Sequence, residues 1–222
     1  MVYIMKIKTA SEQIAESLKE DIFSGKFVPG AKLKEKEISE LMSVSRTPIR
    51  EAFRILQSDG LVEISSNKGV QVINITEEDV DEVCELRMIL EIHCIKKIIK
   101  ILDEDDFLRL EEIVKKTEEM LIKQDYSSYY THSINFHEYI MSKCKNRRLY
   151  SAFLNARNSI RCAQMVLDKD YNSLKKSTEI HKKIIQSLRE RNLGSSVKLI
   201  RQHLEDNCKI MRENLRSQTT IQ

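Results

Sequence analysis

The sequence predicts a mainly α protein: a small N-terminal domain of short helices closed by a β-hairpin, then an all-α antiparallel helical bundle. Three observations predict it. Both prolines and four of the five glycines fall within the first 69 residues, so turn chemistry is concentrated there. Beyond Gly69 apolar residues recur at helical spacing over long segments. The chain is 41% hydrophobic and 32% charged with a net charge of +3, which suits amphipathic helices and excludes a polybasic tail or an acidic disordered chain. Five glycines and two prolines in 222 residues also argue against a β-sandwich or a glycine-rich dinucleotide fold. The change of character near Asn74-Ile75-Thr76 sets two domains, 1–75 and 76–222.

The elements follow in order. Ile14, Leu18 and Ile22, with Ala15 and Phe23, form one apolar helix face. Thr9 or Ser11 can cap its start, and Gly25 suits its end. Val28-Pro29-Gly30 is a turn. A second short helix carries Ile38, Leu41 and Met42. A third carries Ile49, Ala52, Phe53 and Leu56. Ser45 is placed to cap it through its hydroxyl, and Pro48 falls in its first turn, where a missing N–H costs little. Gly60 ends it. Leu61–Ile64 and Val70–Ile73 read as strands joined through Ser65–Gly69. The second domain reads as six helices. The first starts at a capping-box-like Thr76-Glu-Glu-Asp79 and buries Val80, Val83, Cys84, Leu90, Cys94, Ile95 and Ile98. Asp103–Asp106 interrupt it. The next carries Leu110, Ile113, Val114, Thr117 and Leu121. The remaining four cover roughly 127–144, 147–167, 172–191 and 192–216.

The five cysteines, Cys84, Cys94, Cys144, Cys162 and Cys208, are odd in number and widely spaced, with no C-x-x-C pair. Free thiols in a reducing cytoplasm are expected, rather than a disulfide framework or a cysteine zinc site. No apolar run suits a signal peptide or a membrane span, so no membrane partner is expected.

Helix, short helix, tight turn, helix and hairpin is the order of a winged helix-turn-helix. In such a domain the N-terminal residues of the third helix reach base edges in the major groove of double-stranded DNA. Arg46 and Arg50 share a helix face, and a guanidinium fork can bond guanine O6 and N7 together. Ser45, Thr47 and the helix N-terminus suit a phosphate. Lys36 on the preceding helix can take another, and Lys68-Gly69 form a small cationic wing tip. Residues 1–74 hold eleven Lys and Arg against ten Asp and Glu, so the binding charge is local.

Three segments carry a resemblance: Phe27-Val-Pro-Gly30 with Leu33–Ile38; Val44-Ser-Arg-Thr-Pro-Ile-Arg-Glu-Ala52 with Leu56; and Asp59-Gly-Leu-Val62 with Asn67-Lys-Gly69. They resemble the DNA-binding domain of the GntR family of bacterial transcription regulators. The resemblance implies a homodimer on a palindromic operator, usually as a repressor. It implies contacts from Lys36, Arg46, Thr47, Arg50 and the wing tip.

Five histidines occur, and three of them, His137, His181 and His203, lie on inward faces of different helices. A lone histidine on an apolar face is usually structural. Three imidazoles sharing an apolar interior are costly unless something such as a divalent metal organises them. Spacing leaves both readings open. Arg87 lies mid-helix. It can pair with Glu91 at the surface, or face a pocket and clamp a carboxylate with two parallel bonds.

Glu85-Leu-Arg87 with Glu91, Phe136-His137 with Asn146, Glu179-Ile-His181 with Ile184, and His203-Leu204 are similar to the ligand-binding domain of the FadR branch of that family, an FCD-type bundle. The six-helix count resembles its smaller VanR-type subgroup. The resemblance implies a metal site at His137, His181 and His203, an acidic effector on Arg87, and an Asp where Ser133 stands here. A hydroxyl is a weak ligand for a divalent ion, so the departure favours nitrogen-loving Zn or Ni. The expected function is a regulator released from its operator by a small organic acid. The alternatives are a metal-responsive regulator and a metal-dependent hydrolase using the three-histidine site. No catalytic residue is assigned.

Overall fold

The computed structural model describes residues 8–65, 67, 69–165 and 170–219. The chain divides into two compact units, Met1–Ile75 and Thr76–Gln222.

The first unit holds helices α1 (Ala10–Phe23), α2 (Glu35–Met42) and α3 (Arg46–Ser58), and strands β1 (Lys32–Leu33), β2 (Val62–Ser65) and β3 (Gly69–Val72). Thr9 caps α1 in a reciprocal box with Glu12, which satisfies two orphan N–H groups. Ile14, Leu18 and Ile22 are buried on one α1 face, as are Ile49, Phe53 and Leu56 on α3, and the two helices pack together. The strands form an antiparallel sheet in the order β1-β3-β2, with Val62 opposite Val72 and Ser65 opposite Gly69. A side chain at position 30 would be strained. The φ of Gly30 is +80°, and a Cβ there would come within 3.1 Å of the Asn74 side chain.

Two local expectations are corrected in this unit. Ser45 sits at the N-cap of α3 with extended backbone, but its hydroxyl makes no capping bond. The usual donor to a capping oxygen is the N–H of the second or third helical residue, and the third here is Pro48, which has none. Leu41 is 66% exposed, because the short α2 buries only Ile38 and Ser39 and packs against α3. The two-residue β1 escaped the sequence reading, being too short to show alternation. Lys68 lies outside the described residues.

The second unit holds α4 (Glu77–Ile98), α5 (Glu104–Ile122), α6 (Tyr126–Ser142), α7 (Arg147–Met165), α8 (Tyr171–Arg189) and α9 (Leu193–Thr219). Side-chain oxygens of Thr76, Asp103, Asp125 and Asp170 cap α4, α5, α6 and α8. Helix α4 packs on α6, α7 and α9; α5 packs on α6 and α8; and α8 packs on α9. The shared core runs through Cys94, Ile95, Ile98, Leu110, Phe136, Ile140, Phe153, Ile184, Ile200 and Leu204. Burial of this apolar surface is the main drive for the bundle. No helix among the described residues is long and apolar enough to cross a membrane.

The cysteine expectation is overturned in part. Cys84 of α4 and Cys208 of α9 form a disulfide with Cα atoms 6.2 Å apart. Their separation of 124 residues carried no hint of proximity, which only the packing of α4 on α9 creates. Cys94 and Cys144 are buried free thiols.

Candidate functional site

In the first unit the residues at the start of α3 are presented to solvent. Ser45, Arg46, Thr47 and Arg50 are all exposed, as is Lys36 on α2. Arg46 forms no ion pair among the described residues. Arg50 donates its Nε–H to both carboxylate oxygens of Glu35, at 3.0 and 2.9 Å. That bond fixes the guanidinium stem against α2 and leaves the two terminal nitrogens unengaged by Glu35. Gly69 is exposed, with φ +76° and open space around its Cα.

In the second unit α6, α8 and α9 bring three imidazoles together. His137, His181 and His203 are 2%, 0% and 1% exposed. Their Nε2 atoms form a triangle with edges of 3.2, 3.3 and 3.0 Å. Around a tetrahedral ion with bonds of about 2.0–2.1 Å, ligand atoms stand roughly 3.3–3.4 Å apart. The triangle is therefore close to the size such an ion requires. Phe136 stacks on the His181 ring at 4.2 Å, so packing fixes that ring's plane.

Glu91 of α4 organises one side of the cluster. It is fully buried, and its Oε2 accepts the His137 Nδ1–H at 2.7 Å while its Oε1 accepts the Arg87 Nε–H at 2.8 Å. Burial alone would raise the Glu91 carboxyl. Arg87 and His137 outweigh that and hold it below its usual range, so it stays ionised. The carboxylate fixes the proton of His137 on Nδ1 and turns the Nε2 lone pair into the cluster. Burial pushes His137 down, against the pull of Glu91. Burial, reinforced by the neighbouring imidazoles and Arg87, holds His181 and His203 well below the ordinary histidine range. Neutral imidazoles with converging lone pairs are the form that binds a metal. The residues present fit a divalent ion: three buried nitrogen donors, one oriented by a carboxylate.

Arg87 is buried at 4% exposure, and its Nη2 has no hydrogen-bond partner. It lines a small cavity of about 30 Å³ together with Ser133, Tyr129, Gln164, Ser177 and Asn207. Ser133 is thus on the pocket wall, one turn before His137. Gln164 Oε1 is also buried without a partner. Asn207, one turn beyond His203, donates its amide N–H to His203 Nε2 at 3.2 Å. It also lines a larger groove of about 200 Å³ that reaches His203 between α8 and α9. Spacing left Arg87 open between the surface and a pocket, and only the resemblance grouped it and Ser133 with the three histidines; all five lie in this region. Sequence reasoning missed Asn207, whose i, i+4 spacing from His203 was the available signal.

Residues 10–72 match the family model for bacterial regulatory proteins of the gntR family, and residues 82–206 match the FCD domain. The chain belongs to the GntR family. It is 26% identical over 204 residues to the HTH-type transcriptional regulator YdhC of Bacillus subtilis, covering 91% of each chain. It is 24% identical to the gluconate operon transcriptional repressor of the same organism, over 87% of this chain and 82% of that one. A solved GntR transcriptional regulator from Rhodococcus sp. RHA1 superposes with a TM-score of 0.81 at 27% identity, over 92% of this chain and 98% of that one. The GntR-family chain is therefore a DNA-binding transcription regulator with an N-terminal helix-turn-helix and a C-terminal FCD domain, and not an enzyme. The hydrolase alternative falls with that assignment.

Proposed function

We propose that this GntR-family regulator is a repressor that binds a palindromic operator as a homodimer and is released by a small organic acid. The operator contacts are Lys36, Ser45, Arg46, Thr47, Arg50, Lys68 and Gly69. Arg46 and Arg50 read guanine edges, and the others hold phosphates. Two copies place their recognition helices about one helical turn apart on the duplex. Such a protein works in the cytoplasm, where its DNA is.

The effector site is the buried cluster of the FCD domain. The observation that carries it is a guanidinium with an unpartnered Nη2 beside three converging, neutral imidazole nitrogens. His137, His181 and His203 would hold Zn or Ni, which prefer nitrogen donors. The metal would supply a Lewis acid for a carboxylate oxygen. Arg87 would take a carboxylate through its free Nη2, with Ser133 donating a hydroxyl from the pocket wall. Asn207 is the neutral oxygen donor available to complete the ligand set, since rotating its amide presents the carbonyl to the same point. The small cavity must widen to admit an acid, and the groove along α8 and α9 is the route. Binding then biases the domain between two arrangements by its differential affinity for them.

The test is an operator-binding assay on a duplex from the promoter of its own gene, with Zn²⁺ and a panel of small organic acids. One acid should release the wild type but not Arg87→Ala. Arg46→Ala should weaken operator binding by about 1–3 kcal/mol. Unchanged binding by Arg46→Ala, or release of Arg87→Ala at the wild-type concentration, would refute the assignment. Release by Zn²⁺ alone would instead make the metal the signal, a reading favoured by the three-histidine cluster.

A further inference from the structure

We infer that the Cys84–Cys208 pair gives this regulator a second input, a thiol–disulfide switch that sets the register of α4 against α9. The disulfide joins the two helices that carry opposite walls of the buried site. On α4, Arg87 and Glu91 follow Cys84 by one and two turns. On α9, Cys208 directly follows Asn207 and lies five residues beyond His203. Closing the bond therefore fixes how far Arg87 and Glu91 stand from His203 and Asn207. Helix α4 is also the segment by which the FCD unit continues from the DNA-binding unit, since that unit ends at Ile75 and α4 begins at Glu77.

Cys84, Cys208 and Cys144 are each 6% exposed and Cys94 is 0% exposed, so it is the groove beside this pair, not overall burial, that sets it apart. Cys84 and Cys208 line a groove of about 440 Å³ between α4 and α9, shared with Met88, Arg201 and Arg212. A small oxidant or dithiol can enter it. Cys94 instead sits in the core, where it donates its S–H to the Ile140 carbonyl at 3.2 Å, and burial pushes its thiol up. A thiol of that kind is inert. A DNA-binding regulator meets its operator in a compartment that keeps thiols reduced, where disulfides are transient and redox-sensing rather than permanent.

The chemistry balances with a hydroperoxide as oxidant. One thiolate attacks the peroxide oxygen, the O–O bond breaks, and an alcohol leaves (water in the case of hydrogen peroxide), giving a sulfenic acid. The second thiol attacks that sulfur, the S–O bond breaks, and water leaves as the disulfide closes. Overall, two thiols and one hydroperoxide give one disulfide, one alcohol and one water. A dithiol reverses the step by exchange.

The experiment uses the full chain, reduced with a dithiol or treated with hydrogen peroxide. Mass spectrometry after alkylation counts the thiols, and the same promoter duplex measures binding. Peroxide should remove two thiols, mapping to Cys84 and Cys208. It should also change DNA affinity at least fivefold, the lower end of ordinary allosteric coupling, with reversal by dithiol. The double variant Cys84→Ser, Cys208→Ser should behave as the reduced wild type in either condition. The wild-type comparison needs no variant, so a misfolded variant does not remove the test. Persistence of both thiols after peroxide, or affinities within twofold of each other, would overturn the switch. A redox response retained by a folded double variant would do the same. Should neither state bind the duplex, the operator reading has failed. Amide exchange in α4 and α9 then decides: slower exchange in the oxidised form supports the switch, and equal exchange overturns it.

Discussion

Replacing Glu91 with Gln probes the buried site most directly. The carboxylate accepts from two donors at once, Arg87 Nε at 2.8 Å and His137 Nδ1 at 2.7 Å. An amide of the same shape offers one acceptor and one donor, so one contact becomes donor against donor. The charge that balances Arg87 is also lost, inside a site where Glu91 is 0% exposed. Breaking a buried ion pair by removing one partner costs about 3–5 kcal/mol. For a unit of this size each kcal/mol moves the melting midpoint by about 2–4 °C, so Glu91→Gln should melt roughly 6–20 °C lower. Releasing the His137 ring should weaken Zn²⁺ binding about 10–100-fold, as the loss of outer partners does at other histidine sites. Scanning calorimetry of the metal-free protein gives the first number, and competition with a chromophoric chelator gives the second. A midpoint within two degrees of wild type, with unchanged Zn²⁺ affinity, would show that the Glu91 carboxylate neither balances Arg87 nor orients His137.

Two further outcomes are expected. Ser133→Asp should raise Zn²⁺ affinity about tenfold or more and extend binding to oxygen-loving ions such as Mn²⁺, as chelator competition across a metal series would read; equal affinities would place position 133 outside the metal's reach. Asp106 supports the start of α5 and accepts the Tyr139 hydroxyl at 2.8 Å and a bond from Lys143. Burial would raise its carboxyl, but Lys143, Tyr139 and the Asp103 N–H prevail and hold it below its usual range. Its folded value lies below its unfolded one, so its stabilisation is complete above the unfolded value and fades as pH falls through the folded one. Asp106→Asn should therefore cost about 1–3 kcal/mol at neutral pH in urea melts, and the deficit should close in acid; a deficit independent of pH would contradict this.

Much of the fold was legible because its signals are local. Apolar spacing along α1, α3, α4 and α5 marked buried faces, and Thr76 with Asp79 marked a boundary that the capping box realises. The three histidines were legible as inward positions, since each shares a face with buried Ile or Phe neighbours. What escaped depends on tertiary proximity. Nothing in the spacing of Cys84 and Cys208 shows that α4 lies on α9. The i, i+4 pair Arg87 and Glu91 was visible as a pair, but its burial was not, because burial is decided by α6 and α9 packing over it. Ser45 failed as a capping side chain for a reason that was readable: Pro48 removes one of the two donors it would have served.

The charge inventory of the buried cluster narrows what can fill it. Arg87 and Glu91 cancel, and the three imidazoles are neutral, so the cluster without an ion carries no net charge. A divalent ion would add two positive charges, and Ser133 on the pocket wall brings no carboxylate against them. Buried charge without compensation costs several kcal/mol per ion. Under the proposed function an anionic ligand would supply the compensation and would also meet the unpartnered Nη2 of Arg87. A monocarboxylate neutralises half of the ion's charge. An acid with two anionic groups, one on the metal and one toward Arg87, neutralises all of it and satisfies both positions. On this argument Ser133→Asp should improve metal binding while weakening the response to a dianionic acid. Strengthening of both would show that the acid does not serve as the missing charge.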